Sequence, residues 1–139
     1  MKRMTLASLL LTFILVAGHA EALPLPTGNW NINGNGSTGV LTITSINAQG
    51  QLTGTVYGQP LIGFWDSASN KILFMRLINT SQPATFQIYT GYLFRNPITP
   101  QGGQNVTYTL TGYFVAFSGS GGTAQMNHFG WFAQVTVVG

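Results

Sequence analysis

From Gly28 to Val137 the sequence alternates β-branched and aromatic residues with polar ones, and Gly, Pro, Asn and Ser cut the alternation into short runs. A period of two puts every second side chain on one face of an extended strand, and no segment carries the spacing of an amphipathic helix. The chain is therefore expected to be all β. Eight runs can be drawn: Gly28 to Asn33, Gly39 to Ile46, Gln51 to Tyr57, Leu61 to Ser67, Lys71 to Ile78, Thr85 to Arg95, Asn105 to Phe117, and Gln125 to Val137. Turn-forming groups such as Asn47-Ala-Gln-Gly50, Ser67-Ala-Ser-Asn70 and Ser118 to Gly122 lie between them, and connections this short join antiparallel neighbours. Eight such strands leave two open edges unless the sheet closes on itself. Closure at this number gives an antiparallel up-and-down barrel, wide enough for a filled interior or one small ligand. A two-sheet β-sandwich uses as many strands and stays open as the alternative, because periodicity does not separate the two.

Ahead of these runs the sequence reads as an export signal. Lys2 and Arg3 give a positive start, Leu6 through Ala17 form an apolar stretch, and Ala20-Glu21-Ala22 fits the small-residue pattern of a cleavage site. Residues 1–22 are thus expected to be a signal peptide and residues 23–139 a single secreted β-barrel domain, extracellular or periplasmic. The apolar stretch is shorter than the ~20 residues a spanning helix needs. A small outer-membrane barrel would need strands of about 9–11 residues with outward apolar bands, and several runs are too short, so no membrane partner is expected.

Beyond residue 22 the charged side chains are Asp66, Lys71, Arg76 and Arg95. The basic balance comes from a scarcity of acids and not from a cationic patch, which argues against nucleic acid as a partner. Cysteine is absent, so stability has to come from packing, sheet closure or assembly. Sequons at Asn35, Asn79 and Asn105 match the glycosylation pattern. Catalysis needs positioned acids, bases or metals. One carboxylate side chain, Asp66, and one imidazole, His128, do not supply two carboxylates for glycoside hydrolysis or three ligands for a metal. No catalytic residue, metal site or cofactor is expected. Asp66 before Ser67 reads as a turn organiser, and His128 as a hydrogen-bonded structural residue.

An apolar residue, a spacer and Gly recur at Leu52-Thr-Gly54, Leu61-Ile-Gly63, Tyr89-Thr-Gly91, Leu110-Thr-Gly112 and His128-Phe-Gly130. Gly inside a strand weakens it, so the repetition marks bends or places where a ring or backbone comes close. Five tyrosines and three tryptophans interleave with Ser, Thr, Gln and Asn, a mixture that fills a core or lines an apolar pocket with a few polar groups.

The order of these motifs resembles the avidin and streptavidin family. Gly28-Asn-Trp30 is followed by Asn33-Gly-Asn-Gly-Ser37, then Gly50-Gln-Leu-Thr-Gly54-Thr, then Leu61-Ile-Gly63-Phe-Trp65-Asp-Ser67; farther on, Thr85-Phe-Gln87-Ile-Tyr89-Thr-Gly91 is similar to the family's Ser-x-Thr-x-Trp-Ser-Gly strand. The resemblance implies a meander barrel, often a homo-oligomer, with a small-molecule pocket at one open end. It places Asn33 and Ser37 at the family's ureido-binding pair, with one extra residue between Trp30 and Asn33. Thr85 and Gln87 take the polar positions of the sixth strand, and Tyr89 stands where the family has a pocket Trp. Val56 occupies the place of the family's ligand-binding Tyr, with Tyr57 one position on. The expected ligand-binding set is Asn33, Ser37, Tyr57, Thr85, Gln87 and Tyr89, and the expected ligand is biotin or another small, largely apolar molecule. A structural or self-assembling extracellular protein is the alternative, since few charges and sticky segments such as Val135 to Val138 suit packing against further copies.

Overall fold

The computed structural model describes residues 21–79, 85–120 and 123–139. Apart from Glu21 and Ala22, the segment read as a signal peptide lies outside the described residues. Eight strands follow: β1 (Gly28–Gly34), β2 (Ser37–Ile46), β3 (Gln51–Val56), β4 (Gln59–Asp66), β5 (Lys71–Asn79), β6 (Thr85–Asn96), β7 (Val106–Ser120) and β8 (Thr123–Val137). Each pairs antiparallel with the next, and β8 returns to β1. The closed ring is an up-and-down barrel and excludes the sandwich.

The ladders are unequal in length. β7 and β8 pair continuously from Val106↔Val137 to Ser120↔Thr123, whereas β1 and β8 pair only from Asn31↔Gln134 to Gly34↔Trp131. Strand alternation sends Trp30 and Ile32, Leu41 and Ile43, Leu52 and Val56, Ile72 and Phe74, and Leu110 and Phe114 into the interior, where all are buried. Each large apolar side chain removed from water stabilises the barrel by about 1.5–3 kcal/mol. With no disulfide, this packed interior has to carry much of the stability. Polar pairs tie neighbouring strands on the outside, as in Thr42 Oγ1 donating to Asn29 Oδ1 at 2.9 Å and the Thr107–Thr136 hydroxyl pair at 3.0 Å.

The repeated strand glycines mark close approaches. Trp131 crosses the interior above Gly91, where a Cβ would lie 2.7 Å from the indole Cζ2. Its Nε1 donates to the carbonyls of Thr90 and Tyr113, both at 3.1 Å. Around it Phe74, Tyr89 and Phe114 form a stack with centroid spacings of 4.6 and 4.7 Å, and Trp131 meets Tyr89 edge-on at 5.5 Å. A side chain at Gly91 would displace the indole that fixes this stack.

One end of the barrel is sealed. Leu25 is buried against the core, Trp30 Nε1 donates to the Pro26 carbonyl at 3.1 Å, and the Leu23 amide donates to Asn70 Oδ1 in the β4–β5 turn at 2.8 Å. Residues 23–26 thus lie across the end that carries the β2–β3, β4–β5 and β6–β7 connections. Glu21 joins them by pairing with Arg95 at 3.0 Å. Asp66 organises the β4–β5 turn, accepting from the Ala68 amide at 3.1 Å and Ser69 Oγ at 2.5 Å. Those bonds hold its carboxyl below the usual carboxylate range.

Candidate functional site

Among the described residues the other end is open and leads into a cavity of about 400 Å³. Its walls come from the β1–β2 turn (Gly34, Asn35, Ser37), the β3–β4 turn (Tyr57), β5 (Arg76), β6 (Gln87, Tyr89), β7 (Phe114) and β8 (Phe129). The stacked core rings continue into the cavity wall, where Tyr89, covered on both faces, and Phe114 border the space.

Two tight hairpin turns build the rim. Asn35-Gly36 joins β1 to β2 with φ of 50° and 84°, and Tyr57-Gly58 joins β3 to β4 with φ of 51° and 76°. Positive φ at both central residues matches the right-handed twist of the flanking strands. The sequence reading extended the third strand through Tyr57, which would have turned its ring outward. The strand instead ends at Val56, which is fully buried, and the left-handed turn brings Tyr57 back over the rim. The ring rests on Gly39, where a Cβ would come within 2.3 Å of it, and the hydroxyl donates to the Ser37 carbonyl at 2.9 Å.

Arg76 was not singled out by sequence reading, yet it is the charged group of the cavity. It follows Ile72 and Phe74 at the two-residue period that points inward along β5. Its Nε donates to Gln59 Oε1 at 2.7 Å and its Nη1 to Gln87 Oε1 at 3.0 Å, while its guanidinium carbon lies 4.7 Å from the centroid of Tyr57. The Tyr89 hydroxyl donates to the same Gln87 oxygen at 2.8 Å. Burial pushes the Tyr89 phenol up to about 12, with a further push from Tyr57 and an opposing pull from Arg76. Burial also raises Tyr57, against the pull of its bond at Gly34 and of Arg76. Both phenols are therefore neutral donors at physiological pH.

Of the expected ligand-binding residues, Ser37, Tyr57, Gln87 and Tyr89 converge on the cavity. Asn33 and Thr85 do not line it. Trp30, Ile32 and Gly34 face inward on β1, so Asn33 points to the outer side, where its Oδ1 accepts from the Gly36 amide at 3.0 Å and secures the turn. Asn33 stands three positions after Trp30, an odd number, so in a regular strand the two side chains take opposite faces. Thr85 stands on the same face of β6 as Gln87 and Tyr89 but at the strand's first position, paired with Asn79 beyond the described lining.

His128 is exposed on β8, while Asp66 sits at the sealed end, so the two groups considered for acid–base chemistry do not meet. The arrangement at the open end can hold a small molecule between rings and hydrogen-bonding groups. In comparisons with known proteins, no family model, curated protein or solved structure matches this chain.

Proposed function

We propose that the chain is a secreted, non-catalytic, avidin-like binding protein that takes a small molecule into the open end of its barrel. The observation that carries this reading is the contrast between the two ends. One is closed by residues 23–26 and a filled core, and the other opens on a cavity of about 400 Å³ walled by Tyr57, Tyr89, Phe114 and Phe129 with Ser37, Arg76 and Gln87 among them. Aromatic walls with a few convergent polar groups are the usual make-up of a ligand pocket, and this volume falls within the usual range. The export signal read at residues 1–22 supports secretion, and the order of the sequence motifs supports the avidin likeness.

Thermal unfolding with and without excess ligand tests it, with biotin as the first probe. A ligand at ~1,000 times its dissociation constant stabilises by about 4 kcal/mol, which raises the midpoint by several degrees or more for a domain of this size. A rise with biotin assigns the ligand. No rise with biotin, nor with a broad panel of small organic molecules, removes the reading.

A homo-oligomer is proposed on a separate observation. On the outer faces of β4, β5 and β6, Ile62, Phe64, Leu73 and Phe94 are 62, 54, 42 and 56 % exposed, and an outer groove of about 460 Å³ runs between Ile62, Phe64, Leu73, Met75 and Ile88. Apolar side chains gathered in this way suit a contact between copies. Sedimentation velocity should show an assembly that Phe64→Glu dissociates; a parent protein that is monomeric at high concentration rules the contact out.

A further inference from the structure

The cavity holds a guanidinium and no carboxylate. The chain has two acidic side chains. Glu21 pairs with Arg95 at the sealed end, and Asp66 is bound within the β4–β5 turn. Neither is available to Arg76. The neighbouring phenols stay protonated, so they add no countercharge. Gln59 and Gln87 orient the guanidinium at 2.7 and 3.0 Å without neutralising it, and these bonds use two of its five N–H donors. The Gln87 carbonyl accepts from both Arg76 and Tyr89, so both its lone pairs are engaged and its amide has only donors left to offer. The polar side of the cavity is thus positive and rich in donors, and the opposite side is made of rings.

A partly buried cation without a counterion gains most from an anion that accepts several of its hydrogen bonds, and the planar fork of Arg fits a carboxylate in a bidentate manner. We infer that the cavity selects a small organic acid, with its carboxylate on Arg76 and its flat, apolar body against Phe114 and Phe129. The inference rests on the small-molecule reading proposed above and narrows it to a ligand class. Arg76 is then the residue that discriminates an acid from its neutral analogue.

The test compares 2-naphthoate with 2-naphthamide, two probes alike in shape and different in charge. Binding to the purified protein is followed by the amide and Arg76 Nε–H resonances. The acid should bind about ten- to a hundredfold more tightly than the amide, the range expected for hydrogen bonds to a charged group. Arg76→Gln should bring the two probes to equal affinity, and Arg76→Lys should restore part of the preference. Should Arg76→Gln not fold, the unmodified protein still decides the matter. Its preference should vanish as pH falls below the carboxyl pKa of the probe, about 4, where Arg remains charged. Equal binding of both probes to the parent, or a preference that persists in Arg76→Gln or below that pH, overturns the anion assignment and leaves the pocket reading in place. If neither probe shifts resonances of cavity residues, the acid assignment falls, and the small-molecule reading is decided by the unfolding measurements with biotin and the wider panel.

Discussion

The guanidinium of Arg76 lies over the ring of Tyr57, 4.7 Å from its centroid, and the same ring lies on Gly39 with its hydroxyl bonded to the Ser37 carbonyl. One aromatic side chain in a left-handed turn therefore joins the rim of the cavity to its charged wall. Gly39→Ala should lift the ring from its seat. The expected cost is about 1–3 kcal/mol, the usual range for overpacking, together with weaker binding of any cavity ligand. Chemical denaturation and a ligand titration on the same variant check both effects. Unchanged stability and binding would mean that the ring does not depend on this seat.

Stability should fall in alkaline solution. The folded pKa of Tyr89 is about 12 against an ordinary value of 10.0, so between these values the native state keeps a proton that the unfolded chain has released. The contribution is complete below pH 10 and is lost as pH rises towards 12. Tyr57 acts in the same direction. Denaturant midpoints measured across this interval should decline, and Tyr89→Phe should make the decline shallower. A phenolate absorbance that appears in full near pH 10 in the folded protein would contradict the prediction.

Gly91 and Trp131 should behave as one unit. Gly91→Ala places a methyl group 2.7 Å from the indole, and Trp131→Phe removes the donor shared by the Thr90 and Tyr113 carbonyls. Each change alone should destabilise by about 1–3 kcal/mol. The double variant should lose less than the sum, because the smaller ring relieves the clash, with a coupling on the order of 0.5–3 kcal/mol. Additive losses in a denaturation cycle would show that the two positions relax independently.

The sealed end makes a prediction about the first residues. A chain beginning at Leu23 keeps Leu25 in the core and the Pro26 bond to Trp30, and loses two exposed contacts of Glu21, its ion pair with Arg95 and the bond its carbonyl accepts from Asn70 Nδ2 at 2.8 Å. Exposed pairs are worth about 0–1 kcal/mol, so its stability should stay within that margin of a chain beginning at Glu21. A chain beginning at Gly28 also exposes the surface under Leu25 and should lose about 2 kcal/mol or more. Equal stability of all three would show that residues 23–26 do not close the barrel.

The eight strands and their order were legible because alternation and turn chemistry agree along the whole chain, as at Asn47–Gly50 between β2 and β3. Closure was legible only as one of two arrangements, since strand period says nothing about whether β8 returns to β1. Alternation alone carries the third run through Tyr57 and leaves Gly58-Gln-Pro60 as the β3–β4 connection; the actual turn uses Tyr57-Gly58, with a non-glycine residue at φ 51°. Asn33 followed from motif likeness, and the period of two counted from Trp30 would have placed it outside. The same count from Ile72 and Phe74 places Arg76 inside, a signal the sequence carries in its period of two. Thr85 shows the opposite limit, because parity gives its face and not how far along the barrel axis it stands.

The ladder between β1 and β8 joins the two strands farthest apart in the chain, and it is also short, running only from Asn31 to Gly34. Joining distant segments carries the largest chain-entropy penalty, and here few hydrogen bonds offset it. Amide exchange should therefore be fastest along this seam and slowest along β7 and β8, where pairing is longest. A molecule parted at the seam is no longer a ring but a curved ribbon with two bare edges, each matching the opposite edge of another parted copy, so strand exchange between molecules follows from how this barrel is fastened.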